Sequence, residues 1–131
     1  MIIVDSSVWI DFFNGTKTPQ TDVLADVLSK SMIGIGDIIL AEVLQGFRSE
    51  KDFQLAKTHL EYLPCFDMGG KELALKSAEN YRMLRQKGIT IRKTIDMIIG
   101  TFCIENNHEL LHADRDFKFM EKHLGLEVVK S

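Results

Sequence analysis

Four acidic residues, widely separated in the sequence, lie in or beside strongly apolar segments. Asp5 directly follows a short β-branched run, and Asp114 follows a second apolar run closely. Glu42 lies inside the stretch ILAEVLQGF, and Asp96 lies near the start of the stretch TIDMIIGTFCIEN. A carboxylate in an apolar segment needs compensation, and carboxylates that meet in space repel one another unless a cation neutralises them. If the fold brings these four residues together, they indicate a site for a divalent cation.

Oxygen ligands of this kind select Mg²⁺ or Mn²⁺ over zinc. The four histidines form no HxxxH or similar pair, and the two cysteines stand alone, so zinc has no obvious site. A cation held by carboxylates suits phosphodiester hydrolysis, because it lowers the pKa of a bound water and stabilises the leaving oxygen. The four acids are therefore the candidate catalytic and metal-binding residues, and the number of ions stays open.

Each of these acids, taken singly, also has a purely structural interpretation. Asp5 could cap the helix that follows it, and Asp96 could be an ordinary acid in the first turn of a helix. Asp114 could open a turn, with Asp116 capping the last helix. Glu42 could pair with a buried arginine. The conjunction of four acids favours the metal site over these separate explanations.

The apolar periodicity predicts how these residues are positioned. Short strands are predicted at residues 1–4, 32–35, 64–68, 109–113 and 126–130, and helices at 6–15, 22–30, 39–47, 50–63, 71–87, 94–106 and 116–125. Asp37 and Thr94 are the predicted N-caps of two of these helices. Alternating strands and helices predict an α/β fold with a parallel sheet covered on both faces. Since functional clefts in such sheets lie at the carboxyl ends of the strands, we expect the acids to meet there.

Composition bounds the class of protein. The chain has 131 residues, is 45% hydrophobic and 27% charged, and shows no repeat or linker, so we expect one domain spanning residues 1–131. Isolated Cys65 and Cys103 fit a reducing compartment, which predicts a cytoplasmic protein. No uncharged apolar run approaches the roughly 20 residues of a bilayer span, which disfavours a membrane protein.

The net charge of −3 gives no general electrostatic case for binding nucleic acid. Neutralising the four candidate ligands with a cation would add four charges and bring the formal charge to +1. The overall acidity then no longer excludes a polyanionic substrate. Basic residues that remain to meet phosphates are Arg48, Arg82, Arg85, Arg92, Lys93 and Arg115.

These residues, taken in order, resemble a known family. The opening MIIVDSSVWIDFF, the Glu in ILAEVLQGF, the Asp in RKTIDMIIGTFCIEN and the acidic pair in ELLHADRDF together resemble the PIN-domain ribonucleases, in particular VapC-type toxins of toxin–antitoxin pairs. The resemblance covers essentially the whole chain. It implies a three-layer α/β/α PIN-like domain and an Mg²⁺- or Mn²⁺-dependent endoribonuclease. The acidic cluster of that site would be Asp5, Glu42, Asp96 and Asp114.

The resemblance also implies supporting roles for further residues. Asp116 would be an outer-sphere or alternate ligand, and Ser6 or Ser7 would orient a metal-bound water. Arg92 would contact the scissile phosphate.

The sequence departs from the common family pattern at two positions. His112 stands where Thr is frequent, and Gly100 stands where Ala is frequent. Neither change removes a proposed ligand. His112 either faces the site or points to the opposite side of its strand.

The partners implied by the resemblance are an RNA substrate, a second copy in a homodimer, and a VapB-like antitoxin in a hetero-oligomer. The sequence itself shows only an abundance of apolar residues, namely Trp9, Phe12, Phe13, Leu44 and Phe47. We assign Trp9 and Phe12 to the core by default. Any of these residues that are exposed would form a patch for a partner.

Two alternative functions belong to other classes. A phosphoryl-receiver signalling domain has similar length, but it would need a second acid after the first strand, where Ser6 and Ser7 stand, and a Lys after ELLHA. A non-catalytic PIN-like module that binds RNA or protein would keep the fold without cleavage. The complete set of acids argues against this second alternative.

Overall fold

The computed structural model describes all residues from Met1 to Ser131 and alternates short strands with helices. The strands are β1 (Ile2–Val4), β2 (Ile33–Gly36), β3 (Cys65–Phe66) and β4 (Glu109–Leu111). The helices are α1 (Ser6–Phe13), α2 (Pro19–Lys30), α3 (Asp37–Gln45), α4 (Glu50–Glu61), α5 (Lys71–Gln86), α6 (Thr94–Glu105) and α7 (Arg115–Leu124). None of the seven helices is long and apolar enough to cross a bilayer.

The four strands form one parallel sheet in the order β3-β2-β1-β4. Strand β1 is central, and its residues Ile2 and Val4 pair with Glu109 and Leu111 of β4. All three residues of β1 are buried, as expected for a parallel strand with both faces covered. The predicted α/β fold class is confirmed.

The strand predicted at residues 126–130 is wrong. This segment forms a single bridge, between Leu110 and Val128. The backbone of Leu110 alone exchanges hydrogen bonds with it, donating to Glu127 and accepting from Val129, both at 2.9 Å. The pairing therefore ends before a ladder can form.

Several predicted helix starts also need correction. Helix α2 begins at Pro19, three residues early, because Thr18 and Thr21 form a reciprocal capping box. Asp37 and Thr94 are not N-caps, since Gly36 and Lys93 occupy those positions without side-chain capping bonds.

The Asp37 carboxylate has a different structural task. It accepts hydrogen bonds from the amides of Ile38 at 2.8 Å and Met68 at 3.0 Å, and so ties the start of α3 to the chain beyond β3. This link fixes the helix that carries Glu42.

Two further candidate acids, Asp96 and Asp114, lie at the starts of α6 and α7, which pack closely against each other. A β-carbon at Gly100 would collide with the sulfur of Met120, so glycine lets α7 approach α6 closely. On the opposite side, the buried side chains of Asn80 and Thr101 form a 3.1 Å hydrogen bond between α5 and α6. Gly100, which stands where the family often has Ala, therefore leaves the space that the Met120 side chain occupies.

Candidate active site

Asp5 lies where β1 ends. Its amide donates to the carbonyl of Leu111 at 2.9 Å, which fixes it beside the end of β4. Although Asp5 occupies the N-cap position of α1, its side chain makes no capping hydrogen bond. The residue is 5% exposed, and Ser7 Oγ donates to Asp5 Oδ2 at 2.7 Å. Burial raises the pKa of Asp5, and the bond from Ser7 opposes this shift.

Asp96 lies in the first turn of α6 and is 9% exposed. Its pKa is raised to about 6, first by burial and then by repulsion from Asp5 and Asp114, with a smaller contribution from Glu42. The nearby Lys93 only partly offsets these effects. The other three predicted acids therefore all lie within electrostatic reach of Asp96.

Glu42 extends from the middle of α3 and is partly buried. Ser6 Oγ donates to Glu42 Oε1 at 3.1 Å. No Lys, Arg or His forms a salt bridge with Glu42, so the alternative of a buried arginine partner is not realised. Ser6 and Ser7 thus each donate to one of the carboxylates. That Ser6 or Ser7 orients a metal-bound water stays a prediction.

Asp114 is the N-cap of α7, where its Oδ1 accepts the amide of Asp116 at 2.9 Å. The alternative that Asp116 is the cap is therefore wrong. Asp116 is 2% exposed and accepts both the amide of Arg92, at 3.3 Å, and Arg92 Nε, at 3.1 Å. Arg92 Nη2 also donates to Asp114 at 3.1 and 3.3 Å. One arginine thus links both acids of the pair.

His112 lies on the same side as the acids. Its Nδ1 accepts the amide of Asp114 at 3.2 Å, and its ring packs 5.1 Å from that of Phe117. Burial lowers the pKa of His112, while the negative charges of Asp5 and other acids oppose the shift. A neutral imidazole with Nδ1 unprotonated fits this acceptor role and helps to hold the start of α7.

With the side chains in these positions, no three His, Cys, Asp or Glu residues are arranged to hold a metal ion. Asp114 is engaged by Arg92, and Glu42 is engaged by Ser6. Coordination by the whole set would require side-chain rotation. The donor set nevertheless has the chemistry of a Mg²⁺ or Mn²⁺ site, because its carboxylates gather at a buried edge and raise the pKa of Asp96.

The link between Arg92 and Asp116 was not predicted from the sequence. The two residues are 24 positions apart: Arg92 lies in the connection between α5 and α6, and Asp116 lies in α7. No periodicity or local motif couples such segments, so only the fold reveals the pair.

The comparisons with known proteins address the family directly. Residues 2–122 match the PIN domain family. The chain belongs to the PIN-domain family. This confirms the resemblance noted from the ordered acids and favours a PIN domain over the phosphoryl-receiver alternative.

Two curated relatives of this PIN domain are VapC ribonuclease Mb1587 of Mycobacterium bovis and Ribonuclease VapC11 of Mycobacterium tuberculosis. Each is 24% identical over 129 residues, covering 97% of this chain and 96% of the relative. Among solved structures, VapBC2 from Rickettsia felis, bound to a promoter DNA fragment, has a TM-score of 0.73 and 21% identity over 98% of both chains. FitAcB from Neisseria gonorrhoeae also has a TM-score of 0.73, with 16% identity over 99% of this chain and 97% of that one. The PIN-like fold is thereby confirmed.

Proposed function

We propose that this chain is a VapC-type toxin, a single PIN-like domain that hydrolyses RNA phosphodiester bonds with a divalent cation. The observation that carries the proposal is the repulsion of a buried Asp96 by three carboxylates from separate elements, in a PIN-family fold. The names of the curated relatives, which are VapC ribonucleases, support the same activity.

In this proposal Asp5, Glu42, Asp96 and Asp114 hold Mg²⁺ or Mn²⁺. When bound, the cation supplies a water of lowered pKa and a positive charge that polarises the phosphate. The protein supplies the orientation of its ligands, because Ser7 holds the Asp5 carboxylate and Ser6 holds Glu42. A cation would also favour the charged form of Asp96, which burial and repulsion from the other acids both disfavour.

Arg92 and Asp116 have supporting roles. Asp116 anchors the Arg92 guanidinium through Nε, and the Arg92 side chain is still 57% exposed. A guanidinium fixed at one edge can present its remaining N–H groups to a phosphate beside Asp114. We therefore propose that Asp116 anchors a phosphate-binding arginine. Its role as an outer-sphere or alternate metal ligand stays a prediction.

The test is cleavage of single-stranded RNA in Mg²⁺ or Mn²⁺ against an EDTA control, comparing the parent chain with Asp5→Asn and Asp96→Asn. We expect metal-dependent cleavage that falls by at least about 100-fold in each variant, as loss of several kcal/mol of transition-state stabilisation requires. Circular dichroism should show both variants folded. Equal cleavage in all three proteins would refute the site, and RNA binding without any cleavage by the parent would support the non-catalytic alternative.

An apolar cleft on another part of the molecule fits a protein partner. It has a volume of about 430 Å³ between α1, α2 and α4. Trp9 at its base is buried, as the default assignment to the core requires, whereas Phe12 and Phe13 are only partly buried. Its other lining residues are Leu28, Leu55, His59, Leu60 and Leu63. We place the apolar segment of a VapB-like antitoxin in this cleft because its lining is apolar and partly exposed. Solved toxin–antitoxin complexes of similar fold support the existence of such a partner.

The chain offers a matched pair of leucines to test this surface. Leu55 in the cleft and Leu75 on α5 are both 58% exposed. Leu55→Glu should abolish co-purification with the co-expressed antitoxin encoded beside the gene, whereas Leu75→Glu should not. Loss with both variants, or with neither, would count against the cleft.

Size-exclusion chromatography with light scattering of the free chain tests the proposed homodimer. We expect the mass of two copies for the free chain and a larger hetero-oligomer with the antitoxin. A strictly monomeric chain that captures no antitoxin would contradict both parts of this proposal.

A further inference from the structure

A second cleft, of about 410 Å³, opens beside the ion pair between Arg92 and Asp116. Its walls are the connection between α5 and α6 and the first turns of α7. Because Arg92 lines the cleft and donates to Asp114, the cleft lies beside one of the acids of the candidate site. Its lining residues are Gly88, Ile89, Thr90, Arg92, Arg115, Asp116 and Phe119.

Arg115 and Phe119 are four residues apart on α7, so they project from the same face of that helix. Arg115 is exposed and forms no salt bridge, while Phe119 is only partly buried. Asp116 is the one acid in the cleft, and Arg92 already neutralises it. The cleft therefore combines an unbalanced guanidinium, a second anchored guanidinium and an accessible aromatic ring.

We infer that this cleft binds a nucleotide of single-stranded RNA next to the scissile phosphate, with Arg115 on a backbone phosphate and the Phe119 ring stacked on the base. This inference rests on the proposed nuclease function. Guanidinium groups match phosphate oxygens with paired hydrogen bonds. Aromatic rings stack on bases without regard to sequence, and only unpaired bases are free to stack in this way.

A second groove with arginines lies between α5 and α6, but it is on a side of α6 turned away from Asp96. Arg85 there lies 5.5 Å from the ring of Tyr81, and Thr94, Met97 and Ile98 complete the lining. With about 100° between successive residues of a helix, Thr94 and Ile98 lie about 160° around α6 from Asp96, and Met97 lies about 100° from it. An RNA strand in that groove would be separated from the acids by the helix itself.

The first arm of the test measures the phosphate contact. Fluorescence anisotropy with a fluorescein-labelled, mixed-sequence single-stranded RNA is carried out in the Asp96→Asn background, where no cleavage intervenes. Arg115→Ala should weaken binding by about tenfold and reduce the slope of log K against log salt by about 0.7, the value for one phosphate contact. The control is Lys51→Ala, which removes an exposed, unpaired charge from α4 and should weaken binding less than about twofold.

The second arm measures stacking. Phe119→Leu keeps an apolar side chain against the core but lacks the ring, and it should weaken binding at least about fivefold. Phe119→Tyr keeps the ring and should bind like the parent. With an otherwise identical abasic RNA, Phe119→Leu should have no further effect. Thermal denaturation of each variant confirms that it is folded.

The outcomes separate this inference from the nuclease proposal. If the parent cleaves RNA with metal, but the Arg115 and Phe119 variants bind RNA as tightly as the background protein, the cleft inference is overturned and the nuclease stands. If the parent fails to cleave, while these variants lose binding as described, the nuclease proposal fails and the RNA site is supported. If the variants change the mass of the free oligomer and leave RNA affinity unaltered, the cleft is a contact between copies and the inference is overturned.

Discussion

The two halves of the acidic site compensate their charges in opposite ways. Asp114 and Asp116 share Arg92, which donates to both carboxylates. Asp5 and Asp96 are buried with no arginine, and the pKa of each is raised, first by burial. The charged form of aspartate is thus stabilised by an arginine in one half of the site, whereas it is disfavoured by its surroundings in the other half.

This difference indicates in which part of the site the protein already compensates the negative charge, and in which part a bound cation is needed for that. A carboxylate whose charge is compensated by the protein contributes to folding whether or not a cation is present. A buried carboxylate without such compensation lowers stability until something positive arrives. The half with Asp5 and Asp96 is therefore where an added cation should have its largest energetic effect.

The largest expected effect is stabilisation by the cation itself. Because Mg²⁺ would bind the folded chain only, a concentration a hundredfold above Kd should raise the free energy of unfolding by about 2.7 kcal/mol. Differential scanning calorimetry with Mg²⁺ and with EDTA measures this. Asp5→Asn should lose most of the increase, and an identical increase in parent and variant would mean that the ion binds elsewhere.

Breaking the compensated half should destabilise the protein. Asp116→Ala removes the acceptor of the Arg92 amide and Nε, so we expect the free energy of unfolding to fall by about 2 kcal/mol. Urea denaturation measures the change. As a control, Asp26→Ala breaks an exposed pair with Lys30 and should cost less than about 0.5 kcal/mol. Similar losses in both variants would remove the distinction between the two halves.

Neutralising an acid of the uncompensated half should instead raise the free energy of unfolding. At neutral pH and in EDTA, Asp96→Asn should raise the free energy of unfolding by about 1 kcal/mol, because a charge disfavoured by burial and repulsion is removed. Asp67→Asn, a change at an exposed acid, should leave stability within about 0.5 kcal/mol of the parent. Destabilisation by Asp96→Asn in EDTA would contradict our account of this half.

The smallest expected effect is the pH profile of that same difference. The pKa of Asp96 is about 6 in the folded chain against 3.8 for the ordinary carboxyl. Between these values the folded state binds more protons than the unfolded state, so this residue makes stability fall as pH rises. The stability gap between the parent and Asp96→Asn should therefore open above pH 4 and level off above pH 6. Urea denaturation across this pH range, in EDTA, measures the stability difference between the two proteins. A difference that does not change with pH would mean that the pKa of Asp96 is not raised.

Most of the fold could be predicted because its signals are local. Strand β1 and helix α6 are strongly apolar runs, and their residues bury as such runs require. The prediction of a strand at 126–130 was wrong because strand formation depends on a neighbouring strand edge that the local sequence does not reveal. Here only Leu110 of β4 pairs with this segment. The start of helix α2 was predicted three residues too late, because the capping box of Thr18 and Thr21 was not recognised in the sequence.

The candidate site was predictable as a set of acids but not as a set of contacts. Carboxyl ends of parallel strands converge by geometry, so Asp5 and Asp114 could be placed at one edge from the sequence. The anchoring of Arg92 by Asp116 could not be predicted, because it depends on how a loop meets a helix far along the chain. The chemical roles of these residues stay predictions until the metal and RNA experiments are carried out.

The bond from the Asp5 amide to the Leu111 carbonyl has a consequence for synthesis on the ribosome. The central strand emerges first but lacks its β4 neighbour until most of the polypeptide has been made. Contacts between segments so distant in sequence form late, after the connecting chain has been ordered. The acidic site of a nascent chain would therefore be completed only when the last parallel strand docks.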